Sequence, residues 1–299
     1  MILNGKKIVA TLFGLSLLAL VFAFGYAVIN QAALLDDTIG LIYVDDVITG
    51  QRRAGLFESP QPAFLTQLRS AKQDPAIRAL VIRINSPGGS SGTSQELYQT
   101  VRSIRDSGIP VVVSMADIAT SGGYYLASAA DYIFANGSTM TGSIGVIMQL
   151  TNYQELYDKI GIQVETIKSG QFKDVGNPSR SLTGLEEQLL TEVIIDAWDQ
   201  FVADVATGRN LPRDTVEQIA DGRIMTGRQA LEHQLIDELG GLEEAFAKAK
   251  ELAGITGNYS VRTYQRRLSL LERVLSNYTA LMNNLADLYQ FPVQLKYQL

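Results

Sequence analysis

The chain has 299 residues, 46% of them hydrophobic, and a formal charge of −6. That length and apolar content suit one large domain or two small ones with a packed core, and no basic block offers a surface for nucleic acid. With no cysteine in the chain, disulfides, thiolate metal sites and a cysteine nucleophile are all excluded.

Residues 8–29, IVATLFGLSLLALVFAFGYAVI, carry no charge. As a helix they would extend about 33 Å, enough for a hydrocarbon core of roughly 30 Å. Lys6 and Lys7 precede the run, and Asp36 and Asp37 follow it. The positive-inside bias therefore predicts a cytoplasmic N-terminus over 1–7, an anchor over 8–29 and a juxtamembrane linker over 30–38. A cleaved signal peptide is the competing reading. The run is long for one, and no Ala-x-Ala site follows it.

Beyond the linker, strand-like and helix-like runs alternate. Strands are expected at 38–48, 77–84, 109–115, 132–135, 143–149 and 162–167, from their apolar, β-branched composition. Helical pattern follows INSPGGSSG (84–92) and again follows ATSGG (119–123), and dominates from about 184 to 252. Alternation of this kind predicts an α/β fold built on a parallel sheet. The expected folded domain covers 39–255. In the tail (256–299), Leu268, Leu271, Leu275, Tyr278, Met282, Leu285 and Tyr289 recur at helical spacing, with Pro292 beyond them. A broad apolar face of that kind must be buried against its own domain, a neighbouring subunit or the membrane surface.

Ser121 stands between a strand and a helix and is followed by two glycines. Serine there serves as an N-cap. It also serves as a nucleophile, with nearby N–H groups available to an oxyanion. The glycines of INSPGGSSG let the backbone approach a ligand closely, and they match neither the dinucleotide nor the P-loop pattern. A nucleophilic serine needs a base. The single histidine, His233, sits beside Glu232 and Gln234 on a helix whose apolar positions are Leu231, Leu235 and Ile236, which predicts a solvated side chain. The remaining candidates are Lys168 and Lys173 in TIKSGQFKDVGNPSR (166–180). Either would have to lose its proton to act as a base, which desolvation favours. Asp174, beside Lys173, opposes that loss unless its side chain points elsewhere.

NSPGG, ATSGGYYLASAAD, TGSIGVI, IKSGQFKDVGNPSR and DGRIMTGRQALEHQLIDELGG occur in this order. Together, over about residues 38–250, they resemble the signal peptide peptidase A family, the membrane-bound serine peptidases of family S49, in its short form. The resemblance implies a Clp-protease/crotonase-like fold and a Ser–Lys dyad, with no cofactor or metal. It makes Ser121 the nucleophile, Lys173 the general base and Ser143 a hydroxyl that orients the lysine. It also makes the N–H groups of Gly88 and Ser121 the oxyanion hole. The implied substrates are peptides, chiefly cleaved signal peptides. The implied assembly is a homo-oligomer enclosing its active sites, and a dyad built from pieces of adjacent subunits would fit it. The implied location is a bacterial-type inner membrane, with membrane lipid around the anchor and the catalytic domain on the outer side. The family pattern usually has glycine where Gln234 stands, so Gln234 must adopt a left-handed conformation or the helix must end differently. A sibling S49 protease with another substrate, an acyl-CoA enzyme of the crotonase type and an inactive membrane scaffold are the other readings. The last two leave Ser121 and Lys173 without a purpose.

Overall fold

A computed structural model describes residues 37–50 and 63–264, with helical residues at 14–16, 18–20 and 22. Most of the expected anchor and all of the expected tail helix lie outside the described residues. Among the described residues, no helix is long and apolar enough to cross a membrane.

The alternating runs fold as an α/β sheet. β1 (Thr38–Asp45) is followed by α1 (Ala63–Gln73), β2 (Ile77–Ser86), α2 (Ser91–Arg105) and β3 (Val111–Thr120). α3 (Gly122–Ala127), β4 (Tyr132–Ala135) and β5 (Met140–Gly142) come next. After them the chain forms α4 (Gln154–Ile160), α5 (Gly184–Arg209), α6 (Arg213–Glu217), β6 (Ile224–Thr226) and α7 (Gly227–Glu232). β7 (Glu238–Leu239), α8 (Leu242–Leu252) and β8 (Ser260–Thr263) complete the described domain. The strand order is β6-β5-β3-β2-β1-β8, with β4 and β7 branching from β3. All pairs are parallel except β5 with β6. β8 lies beyond residue 255 and covers the outer edge of β1. Arg262 of β8 and the adjoining Tyr264 are both bonded to Asp74.

Strand period sorts the core onto two faces. Leu80, Ile82 and Ile84 of β2 join Val111, Val113 and Met115 of β3 under α1, α2 and α3. Ala79, Val81 and Val112 point the other way, onto Ala245, Phe246 and Ala249 of α8. Cover on both faces is why the central strands read as near-continuous apolar runs.

One irregularity shapes the site. Ile84 pairs with Met115, but Ser86 pairs with Ala119, so extra residues of β3 bulge out opposite Asn85. Asn85 Oδ1 accepts from the Ile118 N–H inside that bulge. Before the bulge β3 pairs with β4, and after it with β5. The expected strand at 109–115 therefore continues to Thr120 and delivers Ser121 at its end.

The expected strands at 143–149 and 162–167 do not form. Residues 143–149 leave β5 without a ladder, and Ile147 is 83% exposed. Residues 162–167 are exposed throughout, with Ile167 fully so. β-branched runs become strands only where a sheet edge receives them, and the single chain offers none here.

Gln234 takes the left-handed conformation, φ 58°. Its N–H bonds the Leu231 carbonyl and the Leu235 N–H bonds that of Ala230, which closes α7 in the paired manner usual for glycine. Arg209 holds the Gln234 carbonyl, and its guanidinium also meets Asp237 at 2.8 Å. A side chain in this region costs about 1–2 kcal/mol. Gln234→Gly is therefore expected to raise the thermal midpoint by about 2–4 °C. Differential scanning fluorimetry checks this, and a fall in midpoint would contradict it.

Candidate active site

The site forms where three backbone segments converge. The turn after β2 is fixed first. Buried Ser86 donates its hydroxyl to the Asp46 carbonyl and accepts the Gly88 N–H. Ile48 straps across the turn, its N–H donating to the Gly88 carbonyl and its own carbonyl accepting from Ser90. Thr120 Oγ1 donates to the Pro87 carbonyl, which ties the turn to the end of β3. Glycine is obligatory here: a Cβ on Gly89 would lie 1.7 Å from the Ile48 carbonyl oxygen. One on Gly88 (φ 99°) would lie 2.9 Å from Ser121 Cβ.

Ser121 occupies the N-cap position of α3, yet its side chain makes no capping hydrogen bond. Its backbone stands at φ 52°, ψ −120°, a region that residues with a Cβ rarely enter. Holding it there costs about 1–3 kcal/mol. The surroundings enforce it. The Ser121 N–H donates to the Gly142 carbonyl, its own carbonyl accepts from Tyr125, and the buried glycines Gly122 and Gly123 follow. Among the described residues its hydroxyl has no hydrogen-bond partner, so a free, partly exposed oxygen is presented on a strained turn.

Ser143 comes alongside through register. Thr120 pairs with Gly142, so Ser121 and Ser143 are the next residues on neighbouring parallel strands. Ser143 also has positive φ (51°), and its N–H donates to the Arg223 carbonyl.

The N–H groups expected to form an oxyanion hole are both engaged in the single chain. The Gly88 N–H is given to Ser86 Oγ and the Ser121 N–H to the Gly142 carbonyl, so both are spent. The free donors are their successors. The Gly89 and Gly122 N–H groups have no acceptor among the described residues, and a Cβ on Gly122 would lie 3.2 Å from Gly89 N. Each directly follows an expected donor, and only the hydrogen-bond pattern distinguishes them.

Lys173 lies in an exposed turn, its N–H bonded to the Gly170 carbonyl. Within one chain, no hydrogen bond joins its amine to Ser121 or Ser143. Lys168 is held in an ion pair: its amine lies 2.5 Å from Asp174 Oδ1. Arg180 meets the same carboxylate at 3.0 Å, and Glu186 at 2.6 Å. Hydrogen bonds from Arg180 and then Lys168 hold the Asp174 carboxyl at about 2. Arg180, with the Thr183 N–H, likewise holds Glu186 at about 2. Both folded values are depressed. The stability they contribute is thus fully present above the ordinary values of 3.8 and 4.5 and lost only as pH falls toward about 2. The capping box of Thr183 and Glu186 at the start of α5 is a pattern visible in the sequence, SLTGLEE, as S/T-x-x-E. His233 is exposed at the end of α7, as its polar neighbours suggest.

The peptidase family S49 model matches residues 103–256. The chain belongs to peptidase family S49. An Enterococcus faecium protein carrying a signal peptide peptidase SppA name is 38% identical over 71% of this chain and 63% of its own. Protease 4 of Salmonella typhi is 32% identical over 81% of this chain and 39% of its own. The chloroplastic serine protease SPPA of Arabidopsis thaliana is 36% identical over 75% and 34%. This S49 chain thus spans less than two thirds of the length of each of these relatives. Among solved structures, a mutant of the 1510-N membrane-bound stomatin-specific protease shares the fold, with a TM-score of 0.50 over 78% of this chain and 99% of its own at 15% identity.

The backbone strain makes a prediction independent of catalysis. Ser121→Gly removes a penalty of about 1–3 kcal/mol but frees the unfolded chain by about 0.5–1 kcal/mol, so its thermal midpoint is expected to exceed that of Ser121→Ala, which keeps the Cβ, by a few degrees. A Ser121→Gly midpoint below that of Ser121→Ala would show that the turn is unstrained.

Proposed function

We propose that this S49 chain is a membrane-anchored serine endopeptidase that degrades remnant signal peptides and similar apolar peptides with a Ser121–Lys173 dyad. The observation that carries this reading is the conformation of Ser121. A serine at an N-cap position is ordinarily explained by capping, and here the hydroxyl caps nothing while the backbone is held at a cost. Such strain with no structural return points to a nucleophile.

In the proposed reaction, Ser121 Oγ attacks the scissile carbonyl carbon and its proton passes to the neutral Lys173 amine. The developing oxyanion accepts hydrogen bonds from the Gly89 and Gly122 N–H groups. Lys173 then returns the proton to the leaving amine, and water hydrolyses the acyl-enzyme by the same route. Ser143, level with Ser121 just past the paired strand ends, receives and orients the lysine amine.

The lysine that serves each serine comes, in this reading, from a second copy of the chain. Its support is the unassembled dyad and the surface around Lys173. Leu156, Ile160, Val164 and Leu185 are all more than half exposed between residues 150 and 190. An apolar surface of this breadth favours association, and burial against another copy would also desolvate the amine and favour its neutral form. The uncharged run at 8–29 supplies the anchor and puts the site on the outer side of an inner membrane. Apolar subsites follow from the substrate class, since an unpaired charge in such a pocket is costly.

Ser121→Ala and Lys173→Ala should each reduce peptide hydrolysis by at least about a thousandfold, and the double variant should be no worse, because the pair acts as a unit. Co-expressing the two single variants should restore a fraction of wild-type activity if the dyad is shared between copies. Hydrolysis retained in Lys173→Ala would end the dyad reading; no recovery on co-expression would confine the dyad to one chain. Wild-type activity should rise with pH along one limb, as the base must lose its proton before it can accept one from Ser121. A flat profile from about pH 6 to 10 with chemistry rate-limiting would contradict a lysine base.

A further inference from the structure

We propose that Arg180 is a positioning residue for Lys173: it keeps the adjoining Asp174 carboxylate engaged in ion pairs other than with the lysine amine, and it fastens the lysine's turn to the start of α5. The inference rests on the reading of Lys173 as the general base.

A base next to an aspartate in the chain has a difficulty. An uncovered carboxylate within about 4–6 Å stabilises a protonated amine by about 1–3 pK units. Here the carboxylate is covered. Lys168 takes Oδ1 at 2.5 Å, and Arg180 Nε takes Oδ2 at 3.1 Å. Arg180 also bonds the Asp174 main-chain carbonyl at 3.3 Å, so it grips backbone and side chain of the residue that follows the base. Its two terminal nitrogens grip the Glu186 carboxylate at 2.8 and 2.6 Å. Glu186 is itself buried and locked by its exchange of hydrogen bonds with Thr183.

The set holds two cations, Lys168 and Arg180, and two anions, Asp174 and Glu186. Among the described residues no other charged side chain pairs with any of them. The four charges balance, and among the described residues no carboxylate forms an ion pair with Lys173. Only arginine satisfies the geometry. A planar guanidinium offers one edge to each of two carboxylates, whereas a lysine amine is a single point of charge. Burial matters as well. The Asp174 side chain is only 9% exposed, so losing a cation leaves its charge poorly screened.

If Arg180 only braced α5, its loss would loosen the turn without changing the titration of Lys173. The test separates these. Full-length protein in detergent, labelled with 13Cε-lysine, is titrated by NMR, with the Lys173 resonance assigned from Lys173→Arg. Peptide hydrolysis is followed over the same pH range. Arg180→Met should raise the Lys173 pKa by about one unit, because Lys168 still covers part of the charge, and should move the alkaline limb of hydrolysis with it. Adding Asp174→Asn to Arg180→Met should bring both back toward wild type although the guanidinium is still missing. Arg180→Lys should fall between. An unmoved Lys173 titration in folded Arg180→Met, or no return in the double variant, would overturn the proposal. A titration that moves as expected while Lys173→Ala keeps its hydrolysis would support the hold of Arg180 on the lysine and remove the base role from Lys173.

Discussion

An added methyl group measures how closely the backbones approach at the site. On Gly89 it would sit 1.7 Å from a carbonyl oxygen of the Ile48 strap, and on Gly88 2.7 Å from the Gly122 nitrogen. This close approach is the constraint from which the site follows. It requires glycine at both positions, and it sets the turn after β2 directly against the Ser121 turn. It also leaves the Gly89 and Gly122 N–H groups side by side with nothing to bond among the described residues. The bulge in β3 serves the same end, because it redirects the strand onto β5 and brings Ser121 level with Ser143. The strain at Ser121 is sustained because its N–H, its carbonyl and the helix after it are all fixed by neighbours.

The second half of the proposed machinery is organised differently. Ser121 rests on a core sheet covered on both faces, whereas Lys173 rests on a largely exposed segment tied down by charge. The Asp174–Arg180–Glu186 chain joins that segment to α5, whose first half stands largely clear of the core while Phe201, Val202 and Val205 in its second half are buried. In the proposed reading, a rigid nucleophile and a base carried on an exposed, apolar arm suit an enzyme completed by assembly, with nucleophile and base meeting where two copies do.

Much of this was legible in the sequence. The central strands declared themselves because burial on both faces makes them continuous apolar runs, and the helix after Ser121 followed from its position. The bulge in β3 was not legible, since ADIAT reads as a loop until Asn85 and β5 fix it. The runs at 143–149 and 162–167 have strand composition but no edge to join, and composition says nothing about partners. For Gln234 the glycine pattern left two outcomes, a left-handed turn or a different helix end, and the structure takes the first. That the Gly88 and Ser121 N–H groups are engaged while those of Gly89 and Gly122 have no acceptor among the described residues was not legible, as periodicity and motif cannot tell a spent N–H from a free one. The Arg180–Glu186 pair was within reach: the S/T-x-x-E box places Glu186 at a helix start, and an arginine six residues before it is a natural partner.

The central claim is that Ser121, strained and uncapped, is the nucleophile, and that Lys173 activates it. Full-length protein treated with a fluorophosphonate and mapped by peptide mass spectrometry tests it most directly. The account predicts a single adduct on Ser121, formed faster as pH rises and nearly abolished by Lys173→Ala. An adduct on another serine, or labelling of Ser121 at an unchanged rate without Lys173, would contradict it.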